Sequence, residues 1–290
     1  MRWSPAPTLT TAGRSVRVAH LGPRGTYTEE AAFRLHPDAQ FLPLPSVTAA
    51  IEAVVKGDAD EAVCAMENSI EGTASIETLD LLIGADFPLR ICGEAVVQIQ
   101  HMLVGAPGLD LAAVERVYSH PSALLQCRKS LARLAPNAKP VAALSTSGAI
   151  EGAMDEPGSL AIGNERSTVL YGATIYARDI GDEPGNETRF VALGRAAAHR
   201  TGDDKTSLAF TTQHDRPGSL VEVLSMFARR GINMTRIESR PTRRQLGTYV
   251  FFLDVQGHAE DPAMVEVLAE VAAVTHWMRV LGSYPRWQSA

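Results

Sequence analysis

From Val16 onward the chain alternates short apolar runs with helical stretches. Val16-Arg-Val-Ala-His-Leu21 predicts a strand, Gly22-Pro-Arg-Gly25 a turn, and Tyr27 to His36 a helix. A second helix is expected over Ala49 to Lys56 and a buried strand over Glu61 to Met66. Further strands are expected at Arg90 to Val97, Met102 to Val104, Arg116 to Tyr118, Pro140 to Ala143 and Leu160 to Ile162, with helices at Ser122 to Leu134 and Thr146 to Asp155. Strands alternating with helices at this spacing predict α/β layers. The segment Ala196 to Asp204 is small, polar and aperiodic, and reads as a linker. After it the order is strand Ser207 to Thr212, helix Ser219 to Arg230, strands Asn233 to Ser239 and Thr248 to Val255, helix Pro262 to Ala273 and strand Met278 to Leu281. That βαββαβ order is the ferredoxin-like plan, which carries no function by itself.

Composition narrows the classes. A chain of 290 residues, 45% hydrophobic, suits two domains with cores of their own. It has no run of about eighteen apolar residues, so no membrane span is expected. The net charge of -6 and the absence of a Lys/Arg cluster argue against nucleic acid; Arg229, Arg230, Arg243 and Arg244 read as ordinary solvated positions. Cys64, Cys92 and Cys127 lie far apart without CxxC spacing, so reduced, buried thiols are expected rather than zinc ligands or a disulfide framework. Met1 to Ser15 lacks an apolar core region and reads as a loose tail, not a secretory signal; being basic and free of acids, it leaves a short transit peptide open.

The candidate chemistry lies where strands give way to helices. Thr26 with Glu29 has capping-box spacing, Asn68 and Ser69 follow a strand, Ser119 and His120 precede Pro121, and Ser145, Thr146 and Ser147 follow another strand. Each junction leaves free N–H groups at the positive end of a helix dipole, and several together form a crevice suited to a small carboxylate metabolite. Singly, such residues are mostly caps. Gly22 and Gly25 allow close backbone approach, but the loop is neither GxGxxG nor GxxxxGK[ST], so a nucleotide is not indicated. In Asn186-Glu-Thr-Arg-Phe190 a polar loop feeds a closing strand, and either Thr188 or Arg189 could reach the crevice.

These segments resemble a known family. His20-Leu-Gly-Pro-Arg-Gly-Thr-Tyr-Thr-Glu29, Met66-Glu-Asn-Ser-Ile-Glu-Gly72 and Asn186-Glu-Thr-Arg-Phe190 are similar, in order, to the signature segments of prephenate dehydratases. Ser119-His-Pro-Ser-Ala-Leu-Leu-Gln126 and Ser145-Thr146 resemble further family segments. Arg216-Pro-Gly-Ser-Leu220 and Ile232-Asn-Met-Thr-Arg-Ile-Glu-Ser-Arg-Pro241 resemble the ACT domain that usually follows. The resemblance implies an α/β protein: a two-lobed, periplasmic-binding-protein-like catalytic domain over residues 16–198 and a ferredoxin-like ACT domain over 205–283. It places the first lobe at about Val16 to Gly93 plus Tyr176 to Ala196, with the second lobe between.

The implied reaction is decarboxylative dehydration of prephenate to phenylpyruvate, without cofactor or metal. Thr188 matches the catalytic threonine, either hydrogen-bonding or protonating the leaving hydroxyl. Arg189 is then a carboxylate partner or a structural ion pair holding Thr188. Thr26, Thr28, Asn68, Ser69, Ser145 and Thr146 are the implied substrate-orienting donors. Glu67 and Glu71 read as structural, since carboxylates repel a dianionic substrate, and His120 as a cap. The ACT-like unit implies L-phenylalanine as effector, with Pro217, Gly218, Ser219 and Leu220 receiving its carboxylate and Glu238 and Ser239 its ammonium; alternatively Glu238 pairs with Arg236 or Arg240. Ser219 stands where alanine is usual, which leaves the effector's identity and sign open, while Met66 in place of a usual isoleucine is a core-compatible swap. A cytoplasmic homodimer or homotetramer, without nucleic-acid or membrane partners, is the expectation. Two rivals share much of this pattern: an arogenate dehydratase, and a non-catalytic amino-acid sensor.

Overall fold

The computed structural model describes residues 15–212, 217–242 and 247–288, so Arg216, Arg243, Arg244 and the tail up to Arg14 fall outside it. Packing divides the chain into two compact units: the segment up to Ile76 with Ala95–Phe190, and Glu77–Glu94 with Val191 onward. The division falls within two strands and moves Glu77–Glu94 into the C-terminal unit, unlike a single cut near residue 200.

The first unit opens with β1 (Arg17–Leu21), α1 (Tyr27–Leu35), β2 (Gln40–Leu44), α2 (Val47–Lys56), β3 (Glu61–Asn68) and β4 (Gly72–Thr73). After α3 (Ile76–Leu82) comes β5 (Arg90–Gln98), followed by β6 (Met102–Gly105), β7 (Arg116–Ser119), α4 (Pro121–Gln126) and α5 (Arg128–Leu134). Then follow β8 (Lys139–Ala142), α6 (Thr146–Asp155), β9 (Ser159–Gly163), α7 (Glu165–Tyr171), β10 (Thr174–Ala177) and β11 (Glu187–Gly194). Two sheets result. One has the order β2-β1-β3-β11-β5, with β4 off β3, and the other β10-β6-β9-β7-β8.

Helices α1 and α2 pack on β1 and β3 through Ala31, Ala32, Ala50, Ile51 and Val54, all buried. In the second sheet α6 covers β7 and β9 with Ala149, Ile150 and Ala153. Small residues dominate both contacts, so helix and sheet backbones approach closely.

Three expectations need correction. The chain stays in the first sheet through Gln98, not Gly93, because β5 runs on. It returns only after Ala177, because β10 pairs antiparallel with β6, Ile175 opposite Val104, so Tyr176 belongs to the second lobe. The helix expected over Ser122 to Leu134 breaks at Cys127, where the Asp182 carboxylate accepts the N–H groups of Lys129 (2.8 Å) and Ser130 (3.0 Å) at the start of α5. Burial pushes the Cys127 thiol up to about 12.

The second unit holds β12 (Asp204–Thr212), α8 (Ser219–Arg229), β13 (Met234–Pro241), β14 (Tyr249–Gln256), α9 (Pro262–Val274) and β15 (Thr275–Pro285). Its sheet runs β13-β14-β12-β15, antiparallel throughout, the ferredoxin-like order. Leu208, Phe210, Val223, Phe227, Leu253 and Val267 form its core with the two helices. The same unit grips Glu77–Glu94. Lys205 Nζ donates to both Glu94 oxygens at 2.8 Å, and Trp287 N–H adds a bond at 2.9 Å. Arg279 donates to the Gly84 and Ala85 carbonyls, at 2.6 and 2.7 Å, just past the negative end of α3. These charges explain why a segment far from β12 in sequence packs with it.

Candidate functional site

Strand alternation sorts the residues around Thr188. Successive side chains on β3 and β11 point to opposite faces, so Asn68 pairs with Thr188 while Glu67 pairs with Arg189. Asn68 Nδ2 donates to Thr188 Oγ1 at 2.9 Å, and both residues are buried. Asn68 Oδ1 accepts the backbone N–H groups of Ile70 and Glu71, both at 2.9 Å. Those donors can only donate, which fixes the amide's orientation. Thr188 Oγ1 is therefore an acceptor toward Asn68, and its own proton is left to donate elsewhere.

The network continues away from Thr188. Asn68 Nδ2 also reaches Asn186 Oδ1 at 2.7 Å and the Glu187 carbonyl at 3.1 Å. Asn186 Nδ2 donates to Gln126 Oε1 at 2.8 Å, and Gln126 Nε2 donates to Glu71 Oε1 at 2.8 Å. Ser122 Oγ donates to the same Glu71 oxygen. His101 Nε2 lies 2.7 Å from Gln126 Oε1. Within the first unit this chain joins the β3–β4 loop, α4 and the start of β11. Asn186 and Gln126 were not singled out by sequence, although both lie inside quoted motif segments.

A second cluster surrounds the start of α1. Thr26 Oγ1 accepts from Glu29 N–H at 3.2 Å and donates to the Leu21 carbonyl at 3.2 Å, so its hydroxyl is fully engaged as a cap. Glu29 Oε2 accepts from Gly25 N–H at 2.7 Å and from Arg166 Nε at 3.1 Å. Burial pushes the Glu29 carboxyl up, but the Gly25 N–H and the Arg166 guanidinium outweigh it and hold it below the usual range. Gly25 has φ +83°, and a Cβ there would stand 3.0 Å from Ser167 Cα. Only glycine suits both demands. Its carbonyl accepts from Asn164 Nδ2 at 2.8 Å, so the two lobes of this unit also meet here.

The other predicted positions separate into committed and uncommitted groups. Ser69 Oγ donates to the Gly185 carbonyl at 3.0 Å and accepts from Glu187 N–H at 2.9 Å, stapling the loop before β11. Ser145 caps α6 through Gly148 N–H at 3.0 Å. His120 Nδ1 accepts from Ser122 N–H at 3.3 Å, a cap as expected, and Ser119 Oγ donates to the Ile162 carbonyl at 3.0 Å. The hydroxyls of Thr28, which is buried, and Thr146, which is half-buried, make no hydrogen bond among the described residues. Arg189 Nε sits 3.1 Å from Glu67 Oε2, which is the ion-pair alternative for this residue.

Burial lowers the pKa of two histidines in this unit. His20 is fully buried; the Leu21 carbonyl and Glu29 pull its pKa partly back, while Arg166 and Arg24 add to the lowering. For His101 the Gln126 hydrogen bond and Glu71 pull back, and burial still prevails. Among the described residues, no three His, Cys, Asp or Glu side chains gather in a way that could hold a metal ion, and no helix is long and apolar enough to cross a membrane.

In the second unit Gly218 has φ +88° and precedes α8, which no side chain caps among the described residues. Pro217 and Gly218 are exposed and Ser219 is half-buried, whereas Leu220 packs against the domain core. Glu238 is ion-paired with Arg236 along β13, and Ser239 is exposed.

Two family models match the chain. The prephenate dehydratase family model matches residues 18–198 and the ACT domain model residues 206–273. A prephenate dehydratase of Mycobacterium bovis is 38% identical over 288 residues, covering 95% of this chain and 88% of that protein. The crystal structure of prephenate dehydratase from Arthrobacter aurescens in complex with L-Phe superposes with a TM-score of 0.84 at 39% identity, covering 93% of this chain and 90% of that one. A structure described as a novel type of quorum-quenching acylase superposes with a TM-score of 0.80 at 31% identity, covering 93% and 98%.

Proposed function

The chain belongs to the prephenate dehydratase family, and on that premise we propose that Thr188 hydrogen-bonds the departing hydroxyl while prephenate becomes phenylpyruvate, water and carbon dioxide. The ring becomes aromatic on losing its carboxylate and C4 hydroxyl together, so the drive lies in the substrate. The step is redox-neutral. What remains for the protein is to hold the two carboxylates and help hydroxide leave as water.

The observation that carries this reading is the Asn68–Thr188 bond. With Oγ1 accepting from Asn68, the Thr188 proton is available to a substrate oxygen. Threonine is a weak acid, so its contribution is an oriented hydrogen bond in a buried setting rather than full proton transfer. Thr28 and Thr146, with uncommitted hydroxyls near the N-termini of α1 and α6, are the proposed substrate donors. Thr26, Asn68, Ser69 and Ser145 hold the frame through the bonds above, and Arg189 joins them through Glu67.

The catalytic domain is proposed to span residues 16–198 and the ACT domain 205–283. L-phenylalanine is the proposed effector, its carboxylate meeting the α8 N-terminus at Pro217, Gly218 and Ser219, and its ammonium Ser239 and Glu238. A homodimer or homotetramer in the cytoplasm is the proposed assembly, pairing through ACT domains. An acylase reading lacks support in the geometry: among the described residues Thr188 Oγ1 only accepts a hydrogen bond, from an amide, and no base takes its proton to activate it as a nucleophile.

Phenylpyruvate formation from prephenate, with and without L-phenylalanine and beside an arogenate assay, tests the whole reading. Turnover of prephenate altered by phenylalanine is the expected result. Phenylalanine binding without turnover of either substrate would leave a sensor and overturn the enzyme.

A further inference from the structure

His101 immediately precedes β6, is buried, and lies outside the quoted motif segments. Its Nε2 lies 2.7 Å from Gln126 Oε1, which also takes Asn186 Nδ2 at 2.8 Å. Gln126 cannot turn over, because its Nε2 faces the Glu71 carboxylate, which only accepts. The imidazole must therefore donate from Nε2. Burial lowers the ring's pKa, so it is neutral near pH 7 with its proton on Nε2. Nδ1 is then a buried acceptor, and it makes no hydrogen bond among the described residues. An aliphatic side chain would avoid that orphan nitrogen, so the donor to Gln126 is the gain that a histidine offers here.

That donor has consequences along the chain of amides. With its oxygen held twice, Gln126 presents a fixed acceptor to Asn186 Nδ2. Asn186 then presents Oδ1 to Asn68 Nδ2, at 2.7 Å, and Asn68 Nδ2 can also point to Thr188 Oγ1. A reversed Asn186 would set two amide N–H groups against each other. We propose that His101 is a positioning residue for Thr188: together with Glu71 it pins the Gln126 amide, which holds Asn186 against Asn68, the donor to Thr188 Oγ1. This rests on the reading of Thr188 given above.

The test pairs His101→Leu, which removes the donor, with His101→Gln, whose amide can reach the same oxygen. Turnover is measured beside Thr188→Ala, with the melting temperature as a fold control. The expected result is a kcat about tenfold lower in His101→Leu at little-changed KM, with His101→Gln within about threefold of the parent. Equal losses in both variants, or none in His101→Leu, overturn the proposal. Near-normal turnover in Thr188→Ala removes the underlying reading and this inference with it. Loss in Thr188→Ala without loss in His101→Leu removes the inference alone. If His101→Leu fails to fold, ¹⁵N spectra of the parent's histidine rings decide. A proton on Nε2, assigned by the signal's absence in His101→Gln, upholds the proposal, and a proton on Nδ1 overturns it.

Discussion

The loop and strand around Thr188 and the turn before α8 use polar groups in opposite ways. Around Thr188, amide after amide is engaged on both its oxygen and its nitrogen, from Asn68 through Asn186 to Gln126. The hydroxyl at the end of that chain has one direction left for its proton. At Gly218 the proposed device is backbone: a left-handed glycine at a helix start that no side chain caps among the described residues. The first arrangement is a preorganised donor, suited to a charge that develops during reaction. The second, proposed to receive the effector's carboxylate, would suit a ligand that comes and goes. A catalytic site needs the former because reorganisation costs rate; a regulatory site tolerates the latter because only occupancy matters.

Substitutions can break this contrast. Thr188→Ala should have the largest effect, lowering kcat by about two orders of magnitude or more with the melting temperature preserved, in keeping with loss of a preorganised donor. Near-normal turnover would sink the role given to Thr188. Asn68→Asp comes next. It keeps the shape but puts an acceptor beside Oγ1, so the threonine proton turns inward; kcat should fall by about tenfold or more in steady-state assays. If it matched the parent, the direction of the Asn68–Thr188 bond would not matter.

Gly218→Ala probes the other site. A Cβ in the left-handed region costs roughly 1–2 kcal/mol, so calorimetry should show phenylalanine affinity weakened by up to about tenfold. Turnover without effector should be unchanged. An unaltered affinity would place the effector elsewhere.

The smallest effect is on acid stability. His20 and His101 have folded pKa values below the ordinary 6.5, because burial disfavours their charged forms. Their unfolded forms take up protons first, so the stability they contribute is whole above 6.5 and is lost as pH falls from there toward the folded values. The slope is at most about 1.4 kcal/mol per pH unit for each histidine. Melting temperatures between neutral and mildly acid pH should decline, less so in His101→Gln. An identical decline in that variant would remove His101 from the account.

Much of this was legible in sequence. β1, β3, β9 and β12 carry apolar runs whose meaning does not depend on what they pack against. α7 and β10 were not legible. Inside Glu165–Tyr171 the buried positions are Ser167 and Thr168, held by the Asn164 capping box and not by an apolar stripe. The caps at Thr26 and Ser145 were legible, and the motif around Thr188 is what singled that residue out for the proposed role. His101 gave no signal, because a single histidine beside an apolar run has no period or spacing to betray it.

Sequence by itself determined the α/β layering, the βαββαβ unit and the family, since periodicity, turn chemistry and contiguous motifs are written over a few neighbouring residues. Tertiary structure alone decided that Arg189 faces Glu67 and that Glu77–Glu94 packs with the C-terminal unit. It also decided that Gln126 and His101 stand behind Asn186. Those partnerships join residues many tens of positions apart. Which of them form depends on sheet order and strand register, and those are set by the packing of the whole unit rather than by any local stretch of chain.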